Sequence, residues 1–213
     1  MYLTVIKRDT PYPLRFSDLR RAGIPKRYWN AQLSRIPAAA PHFKDVHGWA
    51  HHAREMVNAG TGLYVHGKSG QGKTGIAAIC AKAVLLAWGS AWFSRADDVA
   101  GDVLEDSQHP GDDMGSLSDY WQNANLWVVD DLGTALGREQ TQAILEREIR
   151  KRLAEGRALV ITSNVELDKI TSLGEQTMRA IREGCLGVKV SGTDFARIAE
   201  DSLERGFRRI TGE

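Results

Sequence analysis

Cysteine, proline and long apolar runs are all scarce in this chain. Its two cysteines, Cys80 and Cys185, are too few for a disulfide framework and have no metal-ligand neighbours at a useful spacing. No proline follows Pro110, and no apolar run approaches the roughly 18 residues that cross a bilayer. Residues 1–13 lack the apolar segment of a signal peptide. We therefore expect a cytoplasmic globular protein that does not act at a membrane.

The net charge is also small, but it is unevenly distributed. The formal charge is +1, yet residues 1–60 carry ten basic and four acidic side chains, whereas residues 61–213 carry eighteen and twenty-three. Five of the six prolines fall within the first 41 residues. These features predict a short basic N-terminal arm or leader over residues 1–50 and a core over residues 51–213. A basic leader suits an acidic partner or nucleic acid, and it is equally compatible with a solvated arm.

The core alternates short apolar runs with helical patterns. The runs predict strands at residues 63–66, 91–93, 126–129, 158–161 and 186–190. Helical periodicity predicts helices at residues 73–87, 96–106, 117–123, 138–155 and 174–183, and one or two more after residue 195. Strands that alternate with helices favour a parallel sheet covered on both faces. The predicted fold is a three-layer α/β/α domain.

The loop after the first predicted strand carries the strongest chemical signal. Glycines let the main chain wrap around phosphates, and the following helix N-terminus presents N–H groups to them. Lys73 is expected to reach the β- and γ-phosphates of ATP, and the Thr74 hydroxyl to coordinate Mg²⁺. We therefore expect a P-loop ATPase. The loop matches G-x-x-x-x-G-K-[ST] at every fixed position with Gly67, Lys68, Ser69, Gly70, Gln71, Gly72, Lys73 and Thr74.

Polar residues at the ends of two later strands complete the predicted site. Asp130 and Asp131 end the third predicted strand, as a Walker B pair does. Asp130 would hold Mg²⁺ through water, and Asp131 would orient or deprotonate the attacking water. Asn164 follows the fourth predicted strand and is a candidate to position that water. Thr162 and Ser163 are weaker candidates for the same role.

Arginines outside this site are candidates for a role between subunits. Arg179 and Arg182 lie on the helix before the last predicted strand. An arginine there can act as a finger that stabilises transition-state charge on the nucleotide of a neighbouring subunit. Two solvated arginines are the alternative interpretation.

Basic patches and aromatic residues leave further possibilities open. Tyr28 and Trp29 can stack on bases, pack in the core, or line an adenine pocket. Each basic patch is a candidate DNA contact or a solvated face. One patch consists of Arg20, Arg21, Lys26 and Arg27, and the other of Arg205, Arg208 and Arg209.

Four segments together resemble the DnaC/IstB branch of the AAA+ ATPases, which are bacterial and phage helicase loaders and the ATPase helpers of some transposases. The leader Gly23-Ile24-Pro25-Lys26-Arg27-Tyr28 is similar to their G-I-P-x-R-[YF] segment. Residues 67–74 are similar to their G-x-x-G-x-G-K-T loop. Residues 128–133 and 161–164 resemble their DDLG Walker B and TSN sensor segments. The resemblance covers roughly residues 20–195.

This resemblance implies an AAA+ core that ends without a separate lid domain. It favours Arg179 as the finger, because the family places that arginine before an apolar residue, and it leaves Arg182 open. The implied function is an ATP-dependent helicase loader that binds a replicative DNA helicase and helps place it on single-stranded DNA. The implied assembly is an ATP-dependent homo-oligomer, and the short chain favours a phage or mobile element.

Several functions and one surface stay open at this point. A transposition helper would bind duplex DNA, and a nucleotide-dependent helicase-binding module would turn over little ATP. A small-molecule kinase is less favoured, because no arginine-rich lid is visible and the Asp pair suits attack by water. The helicase-docking surface is expected in residues 1–20 or the C-terminal helices, or is absent.

Overall fold

The computed structural model describes residues 14–87, 89–108 and 117–192. The predicted terminal helices and the patch of Arg205, Arg208 and Arg209 lie outside these residues. The central sheet has five strands in the order β2-β3-β4-β1-β5, and every neighbouring pair is parallel. The strands are β1 (Gly62–His66), β2 (Ala91–Arg95), β3 (Leu126–Asp130), β4 (Ala158–Ser163) and β5 (Cys185–Lys189).

Helices cover both faces of this sheet, which confirms the predicted three-layer α/β/α fold. In the described part of the chain, no separate lid domain stands apart from these layers, and none of the helices is long and apolar enough to cross a membrane. Four single 3₁₀ turns lie at Lys26–Tyr28, Leu33–Arg35, Leu132–Thr134 and Leu167–Lys169. The α-helices are α1 (Phe16–Arg21), α2 (Phe43–His51), α3 (Ala53–Asn58), α4 (Lys73–Leu86), α5 (Asp98–Gln108), α6 (Leu117–Asn123), α7 (Glu139–Ala154) and α8 (Glu175–Gly184).

Successive strand residues divide between two apolar cores, because side chains alternate across a sheet. Leu63 and Val65 pack into the core on the α4 side, while Tyr64 packs into the core that contains α7 and α8 residues. All five residues of β3 and all six of β4 are buried. This full burial is typical of central parallel strands, and it explains why both strands appear as unbroken apolar runs.

The leader packs as part of the α4-side core. Leu19, Ile24 and Leu33 are buried there together with Trp49 of α2. The main-chain N–H of Phe93 in β2 donates to Ala22 O at 2.8 Å, which ties the leader to the edge of the sheet. The boundary predicted at residue 50 falls inside α2 and stays a prediction.

Besides Lys73, two long cationic side chains are buried in the described residues, one on each side of the sheet. Arg152 of α7 is fully buried and donates to four carbonyl oxygens. Lys82 of α4 is 2% exposed and also donates to carbonyl oxygens, those of the leader. The acceptors of Arg152 are Ala158 O (2.9 Å), Trp121 O (2.5 Å), Ala124 O (2.8 Å) and Asn125 O (3.2 Å).

Both cysteines lie in apolar surroundings. Cys80 is fully buried within α4, and Cys185 is the partly buried first residue of β5. The Cys185 thiol lies 3.4 Å from Leu159 O. Burial raises the pKa of each thiol to about 12.

Candidate active site

The loop between β1 and α4 has the backbone shape that its glycines permit. Gly70 and Gly72 have φ values of 80° and 88°, in the region that disfavours side chains. A Cβ on Gly67 would collide with the main-chain oxygen of Val190. The side chain of Gln71 closes the loop by accepting a 2.8 Å hydrogen bond from the Lys68 main-chain N–H. The N–H groups of Gly67 and Lys68 thus already have acceptors, and the start of α4 presents the first N–H groups of the helix at this loop.

Lys73, the first residue of α4, reaches across this loop. Its Nζ donates to Lys68 O at 2.9 Å and to Asn164 Oδ1 at 2.7 Å. Burial lowers the pKa of Lys73, while Asp131 and Asp130 oppose that shift. The ammonium group is thus held at the N-terminus of α4, beside the site's two carboxylates.

Asp130, the last residue of β3, receives hydrogen bonds from two threonine hydroxyls. Thr74 Oγ1 donates to its Oδ2 at 3.2 Å, and Thr162 Oγ1 donates to its Oδ1 at 2.7 Å. The side chain is only 8% exposed. Burial raises the pKa of Asp130, and the bonds from Thr162 and Thr74 oppose that rise. Thr162 therefore supports the Asp130 carboxylate, and the water-positioning role considered for Thr162 stays a prediction.

Asp131 and Asn164 lie next to each other at the same edge of the sheet. Asp131 has φ 58° and ψ 59°, and its N–H donates to Thr162 Oγ1 at 2.8 Å. Asn164 Nδ2 approaches Asp131 Oδ1 at 3.5 Å. Because Asn164 also accepts the bond from Lys73, its amide links the P-loop to the second aspartate.

These residues are chemically suited to Mg²⁺ and a triphosphate. The Thr74 hydroxyl and the Asp130 carboxylate are adjacent oxygen donors, which Mg²⁺ prefers. A Cβ on Gly67 would collide with Val190 O and the Gln71 side-chain oxygen, so the start of the loop requires glycine. The structure brings together the predicted Lys73, Thr74, Asp130, Asp131 and Asn164.

A cavity of about 620 Å³ opens beside the P-loop, between the leader and α4. Tyr28 is on its leader wall. Its Cδ1 atom lies 4.0 Å from the position that a Cβ on Gly75 would take, so the ring faces the first turn of α4. The sequence indicated Tyr28 as a candidate, but it gave no motif for the part of the wall contributed by residues 30–42. Among its lining residues are Tyr28, Asn30, Gln32, Gly72, Gly75 and Ile76.

The remaining leader candidates have different surroundings. Trp29 packs rather than lining the cavity: its Nε1 donates to Ile24 O at 2.7 Å, and its ring stacks on Phe16 at 5.4 Å. Arg27 lines the cavity and lies over the Tyr28 ring, with 5.8 Å to the centroid. The patch formed by Arg20, Arg21, Lys26 and Arg27 is exposed.

Each candidate finger arginine forms an ion pair with an acidic residue outside this site. Arg179 is exposed on α8 and pairs with Glu183 at 2.8 Å. Arg182 is also exposed and pairs with Asp168 at 2.6 Å. Both side chains are therefore exposed at the surface, where their present partners are acidic residues of the same chain.

Comparisons with known proteins give a consistent result. The sequence model of the family described as IstB-like ATP binding protein matches residues 51–181. No curated protein matches the chain. A crystal structure of the DnaC helicase loader is 23% identical, covers 78% of this chain and 100% of its own, and has a TM-score of 0.66.

Two further solved structures have the same fold. DnaI is 20% identical with a TM-score of 0.62, over 83% of this chain and 99% of its own. AMPPCP-bound DnaA from Aquifex aeolicus is 15% identical with a TM-score of 0.63, over 85% of this chain but 56% of its own. These likenesses show the P-loop AAA+ fold.

Proposed function

The chain belongs to the IstB-like ATP-binding proteins and is a P-loop ATPase with the AAA+ fold, and from this premise we propose that it is an ATP-dependent helicase loader. It would bind a replicative DNA helicase and help to place it on single-stranded DNA. The observation that carries this proposal is the match to the DnaC helicase loader, which extends over the whole of that structure. The similar fold of DnaA bound to AMPPCP and single-stranded DNA supports the nucleic-acid partner.

The phosphates of ATP would bind at the P-loop. Lys73 and the loop N–H groups would hold the β- and γ-phosphates, with Thr74 and Asp130 holding Mg²⁺ in part through water. Bound Mg²⁺ would neutralise phosphate charge. Asp131 is partly exposed, and its carboxylate would orient or deprotonate the attacking water. Asn164 would position that water, since its amide already lies between Lys73 and Asp131.

The adenine base would occupy the cavity between the leader and α4. Its lining includes Tyr28, Ile76 and Ile79, which offer apolar contact to a planar base, and it is continuous with Gly72 of the P-loop. The leader is thereby part of the nucleotide site rather than a free arm.

A complete catalytic site would need a second subunit. We expect Arg179 of one subunit to approach the ATP of the next, with Arg182 as the alternative, because both are exposed. ATP binding would then favour a homo-oligomer, and ATP hydrolysis would reverse that assembly.

The first experiment is a pull-down of the purified protein with the replicative helicase of its host, in ATP and in ADP. Lys73→Ala and Arg179→Ala are tested beside Lys151→Ala, a control at an exposed position of α7. We expect an ATP-sensitive complex that both site variants weaken and the control does not. Absence of a complex under every nucleotide condition would contradict the loader proposal.

A transposition helper is the second candidate, and the family match favours it. The two functions differ in the DNA that the ATP-bound protein retains. Tight ATP-dependent binding of duplex DNA, together with no helicase complex, would favour the helper. A helicase complex with negligible ATP turnover would instead indicate a nucleotide-dependent binding module.

A further inference from the structure

Lys82 is a buried lysine on α4 that the proposed ATP chemistry does not use. Its side chain points to the leader turn, where its Nζ donates to Trp29 O at 3.1 Å and Tyr28 O at 3.5 Å. A third hydrogen bond goes to Ala31 O. One side chain therefore binds three main-chain carbonyls of the leader turn, and two of these residues, Tyr28 and Ala31, line the cavity.

The number of hydrogen bonds matches the chemistry of an ammonium group. An ammonium has three N–H donors, and the three carbonyls provide three acceptors. In the described residues, no acidic side chain pairs with Lys82. Burial lowers its pKa to about 8, with a smaller contribution from Arg35. Burying a cation is costly, so apolar packing does not explain a lysine at this position. Its hydrogen bonds to main-chain carbonyls do.

Lys82 stands on the side of α4 that also forms the cavity. Gly75 and Ile79 line the cavity, and with Lys82 they recur at helical spacing along one side of the helix. Tyr28 and Ala31 line the opposite wall. Lys82 thus joins the leader wall to the helix whose first turn carries the phosphate-binding residues.

We propose that Lys82 is a positioning residue for the nucleotide base, because it fixes the distance between the leader wall and α4. The proposal rests on the nucleotide pocket described above and does not depend on helicase loading. Without Lys82, three carbonyls of the leader turn lose their donors, and the wall moves away from α4. The phosphate site keeps its own contacts through Lys73 and Asn164.

The test compares ATP with inorganic triphosphate, which has no base. We expect Lys82→Met to raise the KM for ATP about tenfold while kcat at saturating ATP stays within about twofold. Inhibition by magnesium triphosphate should be unchanged, because that ligand needs the P-loop alone. Lys151→Met, at an exposed position of α7, is the matched control and should change neither value.

Two further variants separate the possible failures. Lys82→Gln keeps an N–H donor, and it is used in place of Lys82→Met if that variant fails to fold. We expect Lys82→Gln to raise the KM for ATP about threefold. Tyr28→Ala tests the pocket itself. If Tyr28→Ala raises the KM for ATP and neither Lys82 variant does, the role of Lys82 is refuted and the pocket stands. If Tyr28→Ala has no effect, the pocket and the Lys82 proposal fail together.

A purely structural role would give a different pattern. ATP and triphosphate would then weaken by the same factor, or kcat would fall with the KM unchanged, as when part of the protein is unfolded. Either result would overturn the proposal.

Discussion

Arg152 and Lys82 offer the same chemistry to different parts of the molecule. Each is a buried cation that donates to several main-chain carbonyls, and they lie on opposite faces of the sheet. Arg152 joins the chain before β3 to the start of β4, away from the P-loop. Lys82 joins the leader to α4 beside the cavity. The effect of a buried cation therefore depends on which segments it connects. Loss of Arg152 should lower the stability of the protein, whereas loss of Lys82 should lower its affinity for the nucleotide.

Lys73 should have the largest effect on ATP turnover among the buried cations, because it lies inside the phosphate site. We expect Lys73→Ala to lower ATP turnover about 1,000-fold, since a preorganised positive charge is lost where phosphate charge develops. One of its hydrogen bonds stays within the P-loop and the other crosses to Asn164, but the variant also removes a buried charge, so urea unfolding should change little. Steady-state phosphate release measures the first effect. Turnover above a tenth of the wild-type value would show that Lys73 does not contact the phosphates.

Arg152→Met tests the structural side of the comparison. It leaves four carbonyl oxygens without their guanidinium donor, three in buried bonds and that of Asn125 in a partly buried one, so we expect the free energy of unfolding to fall by about 3 kcal/mol. The KM for ATP should stay unchanged at temperatures where the variant is folded. Denaturant titration and steady-state kinetics on one preparation check both. A raised KM for ATP would show that Arg152, like Lys82, affects nucleotide binding.

Asp130→Asn should separate stability from activity within one residue. Burial raises the pKa of Asp130, so its ionised form at neutral pH costs folding free energy, and this cost lessens as pH falls through the raised pKa. We expect the variant to gain up to about 1 kcal/mol in stability while Mg²⁺-dependent turnover drops about 100-fold. A variant that is much less stable would mean that the bonds from Thr74 and Thr162 outweigh the buried charge.

Glu146 of α7 should give the smallest effect, because it is only partly buried. Its carboxylate accepts a bond from Thr177 Oγ1 at 2.7 Å and from the Gly174 N–H at 3.1 Å, which holds the start of α8. We expect Glu146→Ala to cost about 1 kcal/mol at pH 7.

The pH dependence of Glu146 provides a check on this value. Burial opposes the shift, but the bonds from Thr177, Gln142 and Gly174 leave the pKa of Glu146 below its usual 4.5. Its contribution is therefore complete above pH 4.5 and is lost as pH falls through the lowered value. Unfolding curves at pH 7 and at pH 3 should show the difference between variant and wild type shrinking. An equal difference at both values would place the stabilisation elsewhere.

The fold and the phosphate end of the site could be predicted because their signals are local. Buried strands appear as apolar runs, and Lys73 and Asp130 belong to short motifs whose spacing reflects phosphate chemistry. Parallel strands then bring Asp130 and Asn164 to the same edge of the sheet. The assignment of catalytic roles to Lys73, Asp131, Asn164 and Arg179 stays a prediction. The assignment of Mg²⁺ binding to Thr74 and Asp130 stays a prediction too.

The base end of the site could not be predicted in the same way. Its wall depends on how the leader packs against α4, and no fixed spacing records that contact. Lys82 did leave one signal, a lone charge within the apolar helix between Ala81 and Ala83. Arg152 left none, since it resembles the other charged residues of an amphipathic helix and its carbonyl partners come from distant segments.

The raised pKa of the thiols of fully buried Cys80 and partly buried Cys185 has a practical consequence for following this protein in solution. Thiol reagents react with the thiolate, and a pKa of about 12 leaves almost none at neutral pH. The two natural thiols should therefore not react with maleimide dyes in the folded protein. A single cysteine introduced at an exposed position, such as Leu186 on β5, would then be the one labelled site and could carry a fluorophore that reports subunit assembly by energy transfer.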